Sequence, residues 1–163
     1  SDNESCNELG RLQSDTYDFI DGAKQVNKYL KKEGYTKTSY QSTLHPSASK
    51  LITLGGHNQT TVTDCGKLLE RIYRGECVSK EASEEMLDLR QQSIGISFHR
   101  HAFIGVDVPT ANKTGETDED QHDIAIVYGT KTTYILCVMS ENASNAIANI
   151  RNISRVVYNY LNL

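Results

Sequence analysis

Two short stretches of this 163-residue chain carry side chains that could stabilise a developing oxyanion. Ser1-Asp2-Asn3 sets a hydroxyl and an amide at what reads as the start of a helix. Lys113-Thr114-Gly115 sets a cation and a hydroxyl on what reads as a strand, about 110 residues later. Fixed donors and a positive charge around such an oxyanion usually supply the largest single catalytic term. Either three-residue match is weak alone, and it is their order and their settings, one on a helix start and one on a strand, that give the pair weight.

Other clusters read more simply. His99 and His101 could contribute two metal ligands, but neither a carboxylate nor a cysteine accompanies them at useful spacing, so a solvated loop is the expectation. The acidic run ETDEDQHD, residues 116–123, lacks the alternating Asp and the glycine of a calcium loop and reads as a charged hairpin turn. Cys6, Cys65, Cys77 and Cys137 have no zinc-site spacing and are expected as buried thiols. No metal and no cofactor is expected.

The elements that must position these residues follow from periodicity. Ser1 followed by Glu4 has the capping-box pattern, with Cys6, Leu9 and Leu12 at helical spacing behind it. Phe19, Ala23, Val26 and Leu30 mark a second helix ending at Gly34. Residues 34–63 are rich in Ser, Thr and Gly and read as a long loop with short structured pieces at most. A helix with Cys65, Leu68, Leu69 and Ile72 inward then stops at Gly75, and another starts from an N-capping Ser79. Beyond that the period changes: VDVPTANKTG supplies a strand, and HDIAIVYG and TTYILCVMS form an antiparallel hairpin. A closing helix keeps Ala146, Ile150, Ile153, Val157 and Leu161 in phase. The expectation is one α+β domain over 1–163, mostly helical over 1–95, with strands and a C-terminal helix over 96–163.

A net charge of -4 and no basic stripe argue against nucleic-acid binding. No run of 18 apolar residues offers a membrane span.

Taken together, the stretches TTVTDCGKLLERIYRGECVSKEASEEMLDLRQQ, ANKTGETDEDQHDIAIVY and ISRVVYNYL resemble the latter part of class A β-lactamase-like serine hydrolases, a group that includes penicillin-binding proteins. The resemblance covers nearly the whole chain. It implies an antiparallel sheet flanked by helices plus a helical lobe, incomplete at the N-terminus, where two strands and the helix bearing the Ser-x-x-Lys nucleophile would precede Ser1. In that comparison Ser1 would relay a proton to the leaving nitrogen and Asn3 would hold the substrate's amide. Lys113 would bring positive charge to the cleft, Thr114 would bond the substrate carboxylate beside Gly115, and the Glu116 backbone N–H would be half of an oxyanion hole. His122 falls where many relatives present an arginine to that carboxylate, and it reads equally as a protonated donor to it or as an ordinary strand-end histidine beside Asp123.

Two points limit the likeness. Ser47-Ala48-Ser49-Lys50 matches Ser-x-x-Lys, but it follows Pro46 in a polar loop rather than heading an apolar helix, and is read as solvated loop. Class A β-lactamases deacylate with a loop Glu acting through a water, and no Asp or Glu occurs between Glu33 and Asp64, which points to a penicillin-binding or peptidase-like relative. The expected function is that of a serine hydrolase acting on β-lactams or D-alanyl peptides, with this chain inactive alone. Its expected address, by resemblance, is the cell envelope or extracellular space. The alternative is a non-catalytic domain that binds a cell-wall peptide or a protein partner through the same cleft. Either self-association or a companion N-terminal segment is expected to cover the apolar faces left open.

Overall fold

The computed structural model describes residues 2–45, 51–92 and 108–163, and it groups into two compact units, Ser1–Asp64 and Cys65–Leu163. Ser1, the Ser47–Lys50 match, His99 and His101 lie outside the described residues.

In the first unit, helices α1 (Asn3–Arg11) and α2 (Phe19–Lys32) pack on each other. The expected start of α1 shifts by one residue. Its N-cap is Asp2, whose carboxylate accepts the Ser5 N–H at 2.6 Å, a charged cap on the positive end of the helix dipole. The expected inner face of α1 is also corrected: Leu9 and Leu12 are 61% and 62% exposed, Cys6 is exposed, and Asn7 and Gly10 are buried instead. The cause is a close crossing. A Cβ added at Gly22 of α2 would collide with the Gly10 carbonyl oxygen, so the contact admits backbone where leucine would not fit. In α2, Phe19 and Ala23 are buried as expected. The long segment that follows carries only two isolated bridges among its described residues, Ser39↔Gln59 and Ser42↔Thr53.

Helix α3 (Val62–Tyr73) runs across the boundary between the units, and α4 (Lys80–Gln92) follows. Glycines stand where the chain turns out of α2 and α3 with positive φ, +84° at Gly34 and +75° at Gly75, a conformation that costs other residues. Ser79 caps α4 by accepting the Ala82 N–H at 3.1 Å, and buried Ser83 ties the entry together through its hydroxyl to the Cys77 and Ser79 carbonyls.

The sheet is an antiparallel meander of β1 (Thr110–Glu116), β2 (Asp120–Tyr128) and β3 (Thr133–Glu141), in the order β1-β2-β3. Strand β2 is central, and Ala125, Ile126 and Val127 are wholly buried in it. Because side chains alternate, one face packs Ala111, Ile124 and Ile126 with Leu69 of α3 and Leu87 of α4. The other packs Ala125 and Val127 against Tyr158 of α5 (Ala146–Asn162).

Helix α5 turns differently from the expected stripe. Its buried line is Ala146, Ile150, Ser154, Tyr158 and Asn162, strictly four apart, while Ile153 is 42% exposed. Asn162 explains the rotation. Its Oδ1 accepts the Lys131 and Thr132 N–H groups at 2.9 and 2.8 Å, tying the helix end to the β2–β3 turn.

The cysteines depart from the expectation as well. Cys77 is buried, Cys65 and Cys137 are half-buried, and Cys6 is exposed because the inner face of α1 is elsewhere. No helix among the described residues is long and apolar enough to cross a membrane.

The α1–α2 crossing gives a direct test. Gly22→Ala should lower stability by roughly 1–3 kcal/mol in denaturant unfolding, because the helices must separate to admit one methyl group. Leu9→Ala should change it by less than about 0.5 kcal/mol, since that side chain is on the surface.

Candidate functional site

The strand that carries Lys113-Thr114-Gly115 is pinned at both ends. Upstream, the Tyr128 N–H donates to the Pro109 carbonyl at 3.0 Å, and downstream the Thr117 N–H donates to the Asp120 carbonyl at 2.9 Å. The Thr117 hydroxyl also accepts the Glu119 and Asp120 N–H groups, closing a short polar turn. The acidic run is therefore a hairpin turn, as its composition suggested.

These two bonds set the phase of β1. In an antiparallel ladder, hydrogen-bonded pairs alternate with non-bonded ones, so Ala111, Lys113 and Gly115 turn their backbone groups toward β2. Asn112, Thr114 and Glu116 turn theirs the other way. Among the described residues β1 has no further neighbour in the sheet, so the Glu116 N–H points out of an open edge.

The side chains divide between the two faces. Lys113 and Gly115 share theirs with Ile124 and His122, directly opposite on β2, on the side of α3 and α4. Lys113 Nζ donates to the Thr114 carbonyl at 2.5 Å. Asn112 and Thr114 share the α5 side with Asp123, which is wholly buried and accepts from Asn112 Nδ2 at 3.0 Å. His122 Nδ1 accepts the Ser140 N–H at 3.2 Å. Beneath this face, burial pushes the Cys137 thiol up to about 11, with smaller contributions from Cys65 and Asp123, so it stays protonated at neutral pH.

In the first unit, Asn3 is the first residue of α1 and is exposed, and hydrogen bonds from Ser5 hold the Asp2 carboxyl below its usual range. One turn along the same helix face, Asn7 is buried and grips the backbone of Leu44. Its Oδ1 accepts the Leu44 N–H at 2.7 Å and its Nδ2 donates to the Leu44 carbonyl at 3.1 Å. Asn27 of α2 does the same to Tyr40, at 2.7 and 2.8 Å, and Asn58 does so to Ser42, at 3.0 and 2.9 Å. Asp64, buried, accepts the Lys37 N–H and the Thr38 hydroxyl. Tyr40 packs edge-on to Phe19 with centroids 5.2 Å apart, and burial pushes its phenol up to about 12.

Lys113, Thr114, Gly115, Glu116 and His122 are thus assembled on two adjacent strands of one unit, and Asn3 stands on the exposed start of α1 in the other. Sequence reading missed Asn7, Asn27, Asn58 and Asp64. Asn7 and Asn27 did carry a signal, because asparagine is disfavoured in helix interiors unless its amide has local work. Among the described residues no group of three or more His, Cys, Asp or Glu could hold a metal ion.

The model of the β-lactamase enzyme family matches residues 1–161. The chain belongs to that family. No curated protein matches it in sequence. Among solved structures, it is similar to a β-lactamase from Chitinophaga pinensis, with TM-score 0.77 and 20% identity over 99% of this chain and 61% of that one. It is also similar to PBP-A, with TM-score 0.71 and 22% identity over 89% of this chain and 54% of that one. A mutant of PBP-A, solved as an acyl-enzyme complex with penicillin G, matches at TM-score 0.70 and 23% identity over 89% of this chain and 55% of that one. The chain therefore spans between 54% and 61% of the length of these structures, and the shared fold is of the β-lactamase and penicillin-binding type.

The paired amide grips make a local prediction. Asn7→Ala and Asn27→Ala each orphan one backbone N–H and one carbonyl, at a cost of about 1–3 kcal/mol per group left unpaired. Native-state hydrogen exchange should then quicken at the Leu44 amide in the first variant and at the Tyr40 amide in the second. Unchanged exchange at these amides would show that the grips do not hold the segment.

Proposed function

We propose that the protein is a serine hydrolase of the penicillin-binding type, acylated by β-lactams or D-alanyl peptides on a serine outside these 163 residues. The observation that carries this reading is the edge of β1 that meets no further strand among the described residues, where the outward Glu116 N–H stands beside Lys113 and Thr114, as a substrate lying along that edge would need. In this role the Glu116 N–H is one oxyanion donor, Lys113 supplies positive charge, Thr114 bonds the substrate carboxylate beside Gly115, and Asn3 holds the substrate's amide. Ser1, by its place in the sequence, relays the proton to the leaving nitrogen. Preorganised donors of this kind act where charge develops. Lys113→Ala or Thr114→Ala should slow penicillin acylation of the full-length protein by on the order of 10²-fold. An unchanged acylation rate in both would sink the assignment.

Release of the acyl group is a separate matter. Asn7 brings the Leu44 backbone to the face of α1 that begins with Asn3, so the loop residue delivered there is apolar, and the loop offers no carboxylate. The acyl-enzyme should accordingly persist for minutes or longer. Leu44→Glu should shorten its lifetime by on the order of 10²-fold or more, the contribution of a positioned general base. Stopped-flow turnover that is already fast in the unaltered protein would refute the reading.

The same proposal places the protein in the cell envelope or extracellular space, where D-alanyl peptides occur. It also gives the exposed apolar line of α5, which includes Ile153, Val156 and Tyr160, and the outer edge of β3 to a companion segment, or failing that to a second copy of the chain. The isolated 163 residues should therefore self-associate in analytical ultracentrifugation and should neither hydrolyse nitrocefin nor label with fluorescent penicillin. A monomer of 18.2 kDa with a cooperative melt would overturn the first expectation. Stoichiometric labelling lost in Ser47→Ala would overturn the second.

A further inference from the structure

Where β1 turns into β2, a cavity of about 730 Å³ lies between that turn and the start of α5. The Asn142 N–H donates to the Glu119 carbonyl at 2.9 Å and ties the β3–α5 connection to the turn. None of the residues given a role at the β1 edge lines this cavity. It holds an unmatched cation. Arg151 is part of its lining, the Arg151 Nε is buried without a hydrogen-bond partner, and among the described residues no carboxylate pairs with the guanidinium. A buried donor on a charged group is costly until an acceptor meets it. Long side chains on a helix lean toward its N-terminus, so Arg151 reaches back over Ile147, one turn earlier. There the Ala146 N–H bonds the Ala143 carbonyl at 3.3 Å and the Asn149 N–H bonds the Asn145 carbonyl at 2.9 Å. The N–H groups of Ile147 and Ala148 between them meet no acceptor among the described residues, and the Asn145 side chain caps neither. From the turn, Asp118 and Glu119 bring two carboxylates to the same cavity, and neither closes an ion pair with Arg151. Opposite charges thus share one space without touching.

We propose that this cavity is a binding site for a free amino acid. The ligand's carboxylate lies on the Arg151 guanidinium and the Ile147 and Ala148 N–H groups, where a planar fork of donors and the positive end of the helix dipole act together. Its ammonium group turns to Asp118 and Glu119. Ala143 and Ile147 give the cavity an apolar wall that suits a short aliphatic side chain. A ligand with only one of the two charges leaves the opposite set unmatched, and that difference makes the site selective. The site is additional to the function proposed above and does not rest on it.

The test titrates the full-length protein with D-alanine and with L-alanine, following the Arg151 Nε–H signal in ¹H–¹⁵N spectra, assigned by its loss in Arg151→Lys. The signal should move saturably with at least one of them, with a dissociation constant on the order of 1 mM or tighter, within reach of a ligand of this size. A preference between the two would fix the configuration that the site accepts. Acetate and methylammonium, which carry one charge each, should bind at least about 10-fold more weakly. By calorimetry, Arg151→Lys, which keeps the charge but loses the fork, should weaken the amino acid by about 10-fold or more, as should Asp118→Asn combined with Glu119→Gln. Both variants should melt as the unaltered protein does, so that the loss belongs to the site and not to the fold. Acetate binding as tightly as the amino acid would leave a simple anion site and overturn the proposal. A signal unmoved by either amino acid up to roughly 100 mM, or moved equally by sodium chloride, would overturn it as well. Acylation is not among the readouts, so failure here leaves the proposed function standing.

Discussion

The arrangement depends on the phase of the hydrogen-bond ladder along β1. The Pro109 carbonyl and the Thr117 turn fix which residues face β2, and every second residue between them must then face outward. A slip of one residue would turn the Glu116 N–H into the ladder and exchange the faces of Lys113 and Thr114. Pro109 suits the start of such a strand: it has no N–H of its own to pair and contributes only the carbonyl that sets the register. The Thr117 hydroxyl fixes the other end by taking two backbone N–H groups that a short turn would otherwise leave to water.

The first unit meets a different demand. The segment 40–44 runs extended between helices, where no full strand is available on its inner side. Gln41 and Thr43 bond backward to Leu54 and Ile52, while Tyr40 and Leu44 face α2 and α1. A carboxamide presents a donor and an acceptor with nearly the spacing of a peptide group, so Asn27 and Asn7 each stand in for one residue of a missing strand. Asp64 performs a related service at Lys37 and Thr38. The Gly10–Gly22 crossing brings α1 close to α2, and so sets how near Asn7 and Asn27 stand to each other and to the segment they grip.

How much of this was legible in the sequence follows from which forces periodicity reports. Element types, the β1-β2-β3 meander, the Ser79 cap and the stops at Gly34 and Gly75 were all readable, because each rests on local propensity or on a period of apolar residues. The inner face of α1 was not, because a glycine crossing leaves no apolar signature. The line of α5 was misread by about one residue, because polar Ser154 and Asn162 occupy it and only the partner of Asn162, the β2–β3 turn, explains why. Of the candidate site, the residues of β1 and His122 were singled out by motif and counting, and the structure sets them on two adjacent strands. The outward direction of the Glu116 N–H could come only from the register.

The two edges of the sheet differ in what they can accept. Strand β1 presents Asn112, Lys113, Thr114 and Glu116, a polar row whose outward backbone groups suit a small polar ligand and discourage pairing with another chain. Strand β3 runs Thr-Tyr-Ile-Leu-Cys-Val-Met-Ser-Glu, apolar through its middle and half-buried along nearly its whole length, without the charge or proline that protects a free edge. Half-burial on both faces means that α3 and α4 on one side, and α5 on the other, reach β3 without covering it. A surface of that kind gains most from a strand of protein, whose backbone satisfies its N–H and carbonyl groups and whose side chains extend both cores at once. One sheet thus has a polar edge and an apolar edge, with β2 as the rigid divide between them: three successive residues of β2 are wholly buried, so the ladder that sets the phase of β1 is anchored in the core rather than at either edge.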